Sequence, residues 1–403
     1  MSQCSTQSAH ADAERRRTAT GSLVLTGYAT PVHQQPLHIR HAILQSWNSA
    51  WMGTPRVLFK TFTLLAKACW VQNSPIFKQI TQYSDVYPDY KPGPDVDFRF
   101  LQFGPSSEPT TLETDVVIVG SGPGGGVCAK VLAEAGHRVL VVDKGYHFAP
   151  SQLPMTQAAG MAHLYENSGL MSSVDNSINA VAGSCWGGGG TVNWSVALQT
   201  QGYVRREWAE DHGLPFFQSA EFQDALDRVC GVIGAADPLH QSHRGQVLLD
   251  GARKLGWSAK PCPQNSAGHE HNCGHCHLGC GSNQKQGPAV TWLPAAQKAG
   301  AQFIEGFNAQ KILWDDATAG DKKKAVGIVG TWTSRDTEGN TGGPLEGRTT
   351  REVVIKAKRV IVSTGTLNSP LLLRRSGLTV SDSLSFSLSL YIPLYLYQSG
   401  TRR

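Results

Sequence analysis

The stretch Thr114–Gly145, TDVVIVGSGPGGGVCAKVLAEAGHRVLVVDKG, decides the fold. Asp115 to Val119 is a short β-branched run, long enough for one buried parallel strand. It breaks at once into glycines, and Gly120, Gly122 and Gly125 fit G-x-G-x-x-G. In that pattern the first glycine allows a tight turn, the second lets the backbone approach a pyrophosphate, and the third lets helix and strand pack closely. Val127 to Ala135 reads as the helix whose N-terminal amides face the phosphates, and Gly136 ends it. Val139 to Val142 forms a second strand, closed by Asp143, whose carboxylate is placed to accept bonds from an adenosine ribose. Strand, helix, strand and terminal acid in that order point to a dinucleotide site. On this motif alone FAD and NAD are both open.

Outward from it, 403 residues suffice for two or three domains with a sizeable core. The formal net charge of +5 is modest and spread out, which implies no nucleic-acid partner. No apolar run approaches the ~18 residues of a membrane span, and the polar N-terminus lacks the apolar core of a signal peptide. Of nine cysteines, four crowd between Cys262 and Cys280, which suggests a local site or a reduced compartment rather than a bridge framework. The only N-x-S/T sequon, Asn193-Trp194-Ser195, falls inside a glycine loop treated below. The expected location is intracellular, not secreted.

Residues 1–37 read as a disordered tail. Ile39 to Val71 is helical and apolar-rich, with Leu58, Phe62, Leu65 and Cys69 on one face and three tryptophans, Trp47, Trp51 and Trp70, adding area. Helices packing on the main domain, and a face resting on a membrane surface, both fit that segment. Tyr87 to Pro94 is a proline-rich linker, and Tyr146 to Asn179 reads as irregular and lying across the cofactor.

A second glycine stretch follows, Ala182–Trp194, AGSCWGGGGTVNW. Four consecutive glycines, Gly187 to Gly190, are ruinous inside a helix or strand. They make sense where the main chain presses against something flat. A G-x-G-x-x-G start followed by this G-G-x-x-x-x-N loop resembles the glucose-methanol-choline (GMC) oxidoreductases, which are FAD enzymes. By that resemblance Gly187, Gly188 and Asn193 lie along the flavin; Gly189 and Gly190 stand where many members have serines. The family's third pattern recurs at Gly365–Leu378, GTLNSPLLLRRSGL, after a strand at Arg359 to Val362 that would complete the nucleotide-binding sheet.

The tryptophan-rich N-terminal helices, the YPDY linker, Val192–Ala209 and the cysteine cluster narrow the resemblance to the long-chain fatty alcohol oxidases. What it implies is FAD-dependent oxidation of long-chain primary alcohols to aldehydes, with oxygen as acceptor and hydrogen peroxide as product. Peripheral membrane contact through the N-terminal helices and a peroxisomal or membrane-associated location fit the same resemblance. A GMC dehydrogenase passing electrons to a quinone or an iron–sulfur relay, and a catalytically inactive flavin-binding or interaction protein, are the rival readings. The fold class expected is α/β, a Rossmann-like FAD-binding domain with part of an inserted substrate domain and N-terminal helices. The boundaries expected are 1–37 for the tail, 38–95 for the helical segment, 110–378 for the FAD-binding domain with its partial substrate domain, and 379–403 for an atypical tail.

His269, His271, Cys273, His275, Cys276, His277 and Cys280 crowd one short segment. The spacing Cys273-x2-Cys276-x3-Cys280 fits zinc ligands or an iron–sulfur cluster. The expectation is nonetheless a loop of reduced cysteines with no metal. No catalytic residue is named, because the histidine pair that the resemblance implies belongs to a region after Leu378 that this chain does not spell out. The serine- and leucine-rich stretch from Thr379 carries no motif, and Val380-Ser381 is what GTAAGT or GTGAGT encodes. A truncated gene product read through into an intron, and itself inactive, is the expectation there.

Overall fold

The computed structural model describes residues 21–24, 26–83, 90–173, 177–271, 273–315, 324–341 and 347–378. The expected tail up to residue 20, the start of the proline-rich linker and the whole 379–403 stretch lie outside them. Two compact units emerge, one of residues 1–83 with 174–176, the other of residues 84–173 with 177–403.

The first unit is helical: α1 (Leu37–Asn48), α2 (Gly53–Asn73) and α3 (Pro75–Thr81). Trp47 meets Phe62 across α1 and α2 with ring centroids 6.2 Å apart, and Trp70 meets Phe77 edge-on at 5.1 Å. A short 3₁₀ turn at Val32–Gln34 lies within the expected tail, so order begins before Leu37. No helix of the described residues is long and apolar enough to cross a membrane.

The second unit is built on a six-stranded sheet. Its strands are β1 (Thr110–Val119), β2 (Val139–Val142), β3 (Gln302–Ile304), β4 (Phe307–Trp314), β5 (Ala325–Thr333) and β6 (Thr350–Val362), in the spatial order β3-β2-β1-β6-β5-β4. β1 runs parallel to β2 and β6, and β2 parallel to β3. β5 then pairs antiparallel with both β6 and β4. The short β-branched run at Asp115–Val119 is thus the end of a longer strand. Its extension to Thr110 comes from pairing with Val353–Ala357, a partner that no local pattern announces.

Side chains alternate across β1, and both faces are covered. Val117 and Val119 face a core with Leu140, Val142, Phe307, Ile328, Trp332 and Ile355. Val116 and Ile118 face another, with Ala129, Ala133, Leu293, Phe303 and Trp186. Each fully buried Val or Ile contributes about 1.5–3 kcal/mol. The helices on the second face are α4 (Pro123–Glu134), which starts four residues earlier than its apolar pattern suggests because Pro123 sits at the first helical position, and a helix at Trp292–Lys298. Between them the chain forms α5 (Gln157–Leu164), α6 (Gly202–Glu210), α7 (Ala220–Ile233) and α8 (His243–Lys254). α5 corrects the irregular reading of Tyr146–Asn179: Thr156 Oγ1 accepts the Ala159 amide and caps it, and Leu164 is buried. In chain order the helix at Trp292–Lys298 is α9 and the one at Gly365–Arg375 is α10.

Candidate functional site

Parallel strands β1, β2 and β6 end on one side of the sheet, and the glycine turn lies there, where an open α/β sheet takes its ligand. Gly120 turns the chain at φ +107°, and a Cβ on it would stand 2.2 Å from the Ser363 carbonyl oxygen. Ser363 closes β6 by donating its amide to Val119 O at 2.8 Å. The third motif, which begins at Gly365, is thereby set beside the first. At Gly125 a Cβ would lie 1.8 Å from Gly120 O, so the helix can approach the strand only without one. Gly122 differs from both: a Cβ there meets nothing within 4 Å. It caps α4, whose first amides have no intrahelical partner and carry the positive end of the helix dipole.

The second glycine loop comes up against this turn. A Cβ on Gly188 would be 3.1 Å from Gly122 Cα. Ser121, fully buried, joins the loops: its Oγ accepts the Gly187 amide at 2.9 Å and donates to Asp143 Oδ2 at 2.6 Å. The Ser121 amide donates to the same Oδ2 at 2.7 Å, and the Gly145 amide to Oδ1 at 2.8 Å. Asp143 therefore orders the turn from within, with Oδ2 holding Ser121 and Oδ1 holding Gly145. Burial raises its carboxyl above the ordinary range, and the Ser121 bonds oppose that rise.

Asn193 also works inside its own loop. Its Nδ2 donates to Gly190 O at 2.7 Å, and its Oδ1 accepts the Ser195 amide at 2.8 Å. Lys285, 2% exposed, holds the loop from beneath: Nζ donates to Thr191 O at 2.8 Å, Asn193 O at 2.7 Å and Cys276 O at 2.5 Å. Burial lowers its pKa. Trp186 packs under the loop against Phe98, Phe100 and Phe303. His147 stands edge-on to Phe98 at 4.8 Å; burial pushes its imidazole down to about 4.

Ser121, Lys285 and His147 were not marked by the sequence reading. Ser121 lay in view as the variable position of G-S-G; a lysine five residues past a histidine–cysteine cluster carried no signal at all. In the cysteine loop the donors divide. His271 Nε2, Cys273 Sγ and Cys276 Sγ lie within 4.8 Å of one another, and Cys280 is outside that group, with Sγ 3.4 Å from both Ser282 Oγ and the Lys285 amide. His275 Nδ1 faces Cys273 O at 2.6 Å, and His277 Nε2 faces Gln157 Oε1 at 3.2 Å.

The GMC oxidoreductase model matches residues 161–390, running past Leu378, and an FAD binding domain model matches residues 113–201, spanning both glycine loops. A long-chain-alcohol oxidase of Arabidopsis thaliana is 36% identical over 273 residues, which is 67% of this chain and 35% of the relative. An uncharacterized GMC-type oxidoreductase of Mycobacterium tuberculosis is 31% identical over 290 residues, 71% of this chain and 43% of the relative. An Aspergillus oryzae formate oxidase structure aligns over 67% of this chain and 48% of its own at 18% identity, with a TM-score of 0.42. The chain thus spans about a third of the plant relatives it matches. Gly189 and Gly190, expected outside any helix, open a short one at Gly189–Val192, and Gly187 and Gly188 turn into it at positive φ. The free volume over Gly122, the α4 amides facing it and the side-chain-free turn at Gly187–Gly188 fit the pyrophosphate and ring system of FAD. With three motifs gathered at one end of the sheet and more than half its length matched, the chain belongs to the GMC oxidoreductase family, and its cofactor is FAD.

Proposed function

We propose that this chain supplies the FAD-binding part of an enzyme that oxidises long-chain primary alcohols to aldehydes and passes the electrons to oxygen, giving hydrogen peroxide. The observation that carries the reading is the pairing of the two glycine loops through Ser121, which makes one cradle of Gly122 and Gly187–Gly190. FAD, when bound, supplies the hydride acceptor. The chain's own residues would do the holding: the α4 amides and Gly122 would take the phosphates, Asp143 would offer Oδ1 to the ribose, and Gly187 and Gly188 would face the ring system, with Asn193 and Lys285 fixing their loop. Removal of the hydroxyl proton needs a base, a contribution of ~10²–10⁴-fold, and we assign that role to no residue of this chain.

The substrate class rests on similarity to the plant long-chain-alcohol oxidases, and the acceptor on the same similarity. Trp51, Phe62, Leu65 and Trp70 of the N-terminal segment stand exposed, which supports peripheral contact with a lipid surface, where a long-chain alcohol is met. The test is peroxide release from FAD-loaded protein with 1-dodecanol and 1-hexadecanol, run on the 403-residue chain and on a version whose reading frame continues past Leu378 through spliced downstream exons. Peroxide equimolar with aldehyde is the expected result in the extended version. Turnover with a quinone but not with oxygen would replace the oxidase reading by the dehydrogenase one, and no flavin reduction by either alcohol would end both.

A further inference from the structure

We propose that His271 Nε2, Cys273 Sγ and Cys276 Sγ form a metal site for a borderline-soft divalent cation, zinc foremost, with a water in the fourth position. The spacing of the cysteines fits metal ligands, and the expectation of a metal-free loop came from the resemblance; what changes it is where the fold places the imidazole of His271.

Three donor atoms converge. His271 Nε2 stands 2.9 Å from Cys276 Sγ and 3.8 Å from Cys273 Sγ, and all three lie within 4.8 Å of one another. Ligands of a tetrahedral zinc, at ~2.3 Å for sulfur and ~2.0–2.1 Å for nitrogen, are about 3.5–3.8 Å apart. One distance already fits, and the other opens by less than an ångström. Both thiols sit in a loop where, among the described residues, the regular structure is a 3₁₀ turn at Cys276–Leu278, so side-chain rotation is enough.

The second observation is independent of those distances. His271 is 7% exposed, and its other nitrogen, Nδ1, lies 3.1 Å from Gln284 Oε1. A carboxamide oxygen only accepts, so Nδ1 carries the hydrogen and Nε2 turns its lone pair to the two sulfurs. An outer acceptor that fixes the tautomer in this way is the usual support of a metal-bound histidine.

The competing chemistries fit less well. Cys273-Gly-His-Cys276-His277 spells the C-x-x-C-H of covalent haem attachment. That chemistry uses the histidine next to the second cysteine, and His277 instead faces Gln157. An iron–sulfur cluster draws on four thiolates, and Cys280 is outside the group. A Cys273–Cys276 disulfide would leave the oriented Nε2 of His271 with nothing to hold.

The site has a consequence for the cofactor. Cys276 O is one of the three carbonyls gripped by Lys285, and the other two belong to Thr191 and Asn193 of the second glycine loop. A cation that fixes Cys276 therefore fixes the anchor of the flavin loop. It acts as a structural staple and takes no part in electron transfer, and the inference holds whatever the alcohol is.

The experiment measures zinc by mass spectrometry in FAD-loaded protein purified from zinc-supplemented culture. About one zinc per chain is expected, as for a site of this kind. Zinc is lost from Cys273→Ser and Cys276→Ser and kept in Cys230→Ser and Cys262→Ser. Gln284→Leu, which removes no ligand, weakens zinc binding by about 10–100-fold. Because the ligand variants can fail to fold, the unmutated protein is also mapped with maleimide: Cys273 and Cys276 stay unlabelled until a chelator is added, while Cys262 reacts at once. Zinc-free protein with all three thiols equally reactive, a Cys273–Cys276 disulfide, covalent haem, iron with sulfide, or zinc retained in both serine variants would each overturn the assignment.

Discussion

Ser121 Oγ and the Gly187 amide, 66 positions apart in sequence, meet at 2.9 Å, and that one bond makes a single cradle of two glycine loops. The same hydroxyl donates to Asp143, so strand ends β1 and β2 and the second loop share one buried polar centre.

Ser121→Ala tests that relationship with the smallest possible change. It leaves the Gly187 N–H buried without its acceptor and takes one donor from Asp143. The cost is about 1–3 kcal/mol, or roughly 5–150-fold in the FAD dissociation constant. Fluorescence titration of the apoprotein measures it. An unchanged Kd would mean that the loops are aligned by something else.

Gly122 and Gly125 share a motif yet should fail differently. Gly122→Val places its side chain in open space, so the protein folds with nearly the wild-type melting temperature and does not retain flavin. Gly125→Val drives a side chain into Gly120 O, so the fold itself is lost. Circular dichroism beside flavin absorbance separates the two outcomes, and a flavin-loaded Gly122→Val protein would remove that residue from the phosphate subsite.

Those two glycines also show what a sequence reveals. The turn, helix and second strand of Thr114–Gly145 were legible because their determinants are local: a β-branched run, fixed glycine spacing, and an acid at a strand end. The third motif was legible for the same reason. The length of β1 was not, since Thr110–Thr114 are strand only through Val353–Ala357. Nor were Lys285 and His271, whose roles come from carbonyls and thiols brought together by the fold. The sequence motif puts Asn193 beside the flavin, and the fold adds that its side chain also ties its own loop through Gly190 and Ser195. A motif position names a loop more reliably than it names a contact.

His147 gives the fold a defined acid limit. Its folded pKa of about 4 lies below the ordinary 6.5, because burial disfavours the cation more than Glu305 favours it. Between those values the unfolded chain binds more protons, so this contribution is fully present above pH 6.5 and is lost as pH falls through about 4. The shift corresponds to about 3 kcal/mol. Thermal melts from pH 7 down to pH 4 should show that loss in the wild type and a flatter profile in His147→Phe, as a rough window set by the same pKa values. Parallel profiles would refute the buried neutral imidazole.

Lys285→Met removes one ammonium from three carbonyls. With each buried acceptor costing about 1–3 kcal/mol, destabilisation of about 3 kcal/mol or more is expected. Hydrogen exchange should rise together in residues 187–193 and 273–280, because Lys285 is the tie between them. A rise confined to one segment would show that the two loops are held independently.

The central claim is that the paired glycine loops hold FAD and not a nicotinamide dinucleotide. Calorimetric titration of the purified apoprotein with each cofactor tests it most directly. The account predicts saturable binding of about one FAD per chain, as one cradle of this type requires, and no heat from NAD. Binding of NAD with no binding of FAD would contradict it.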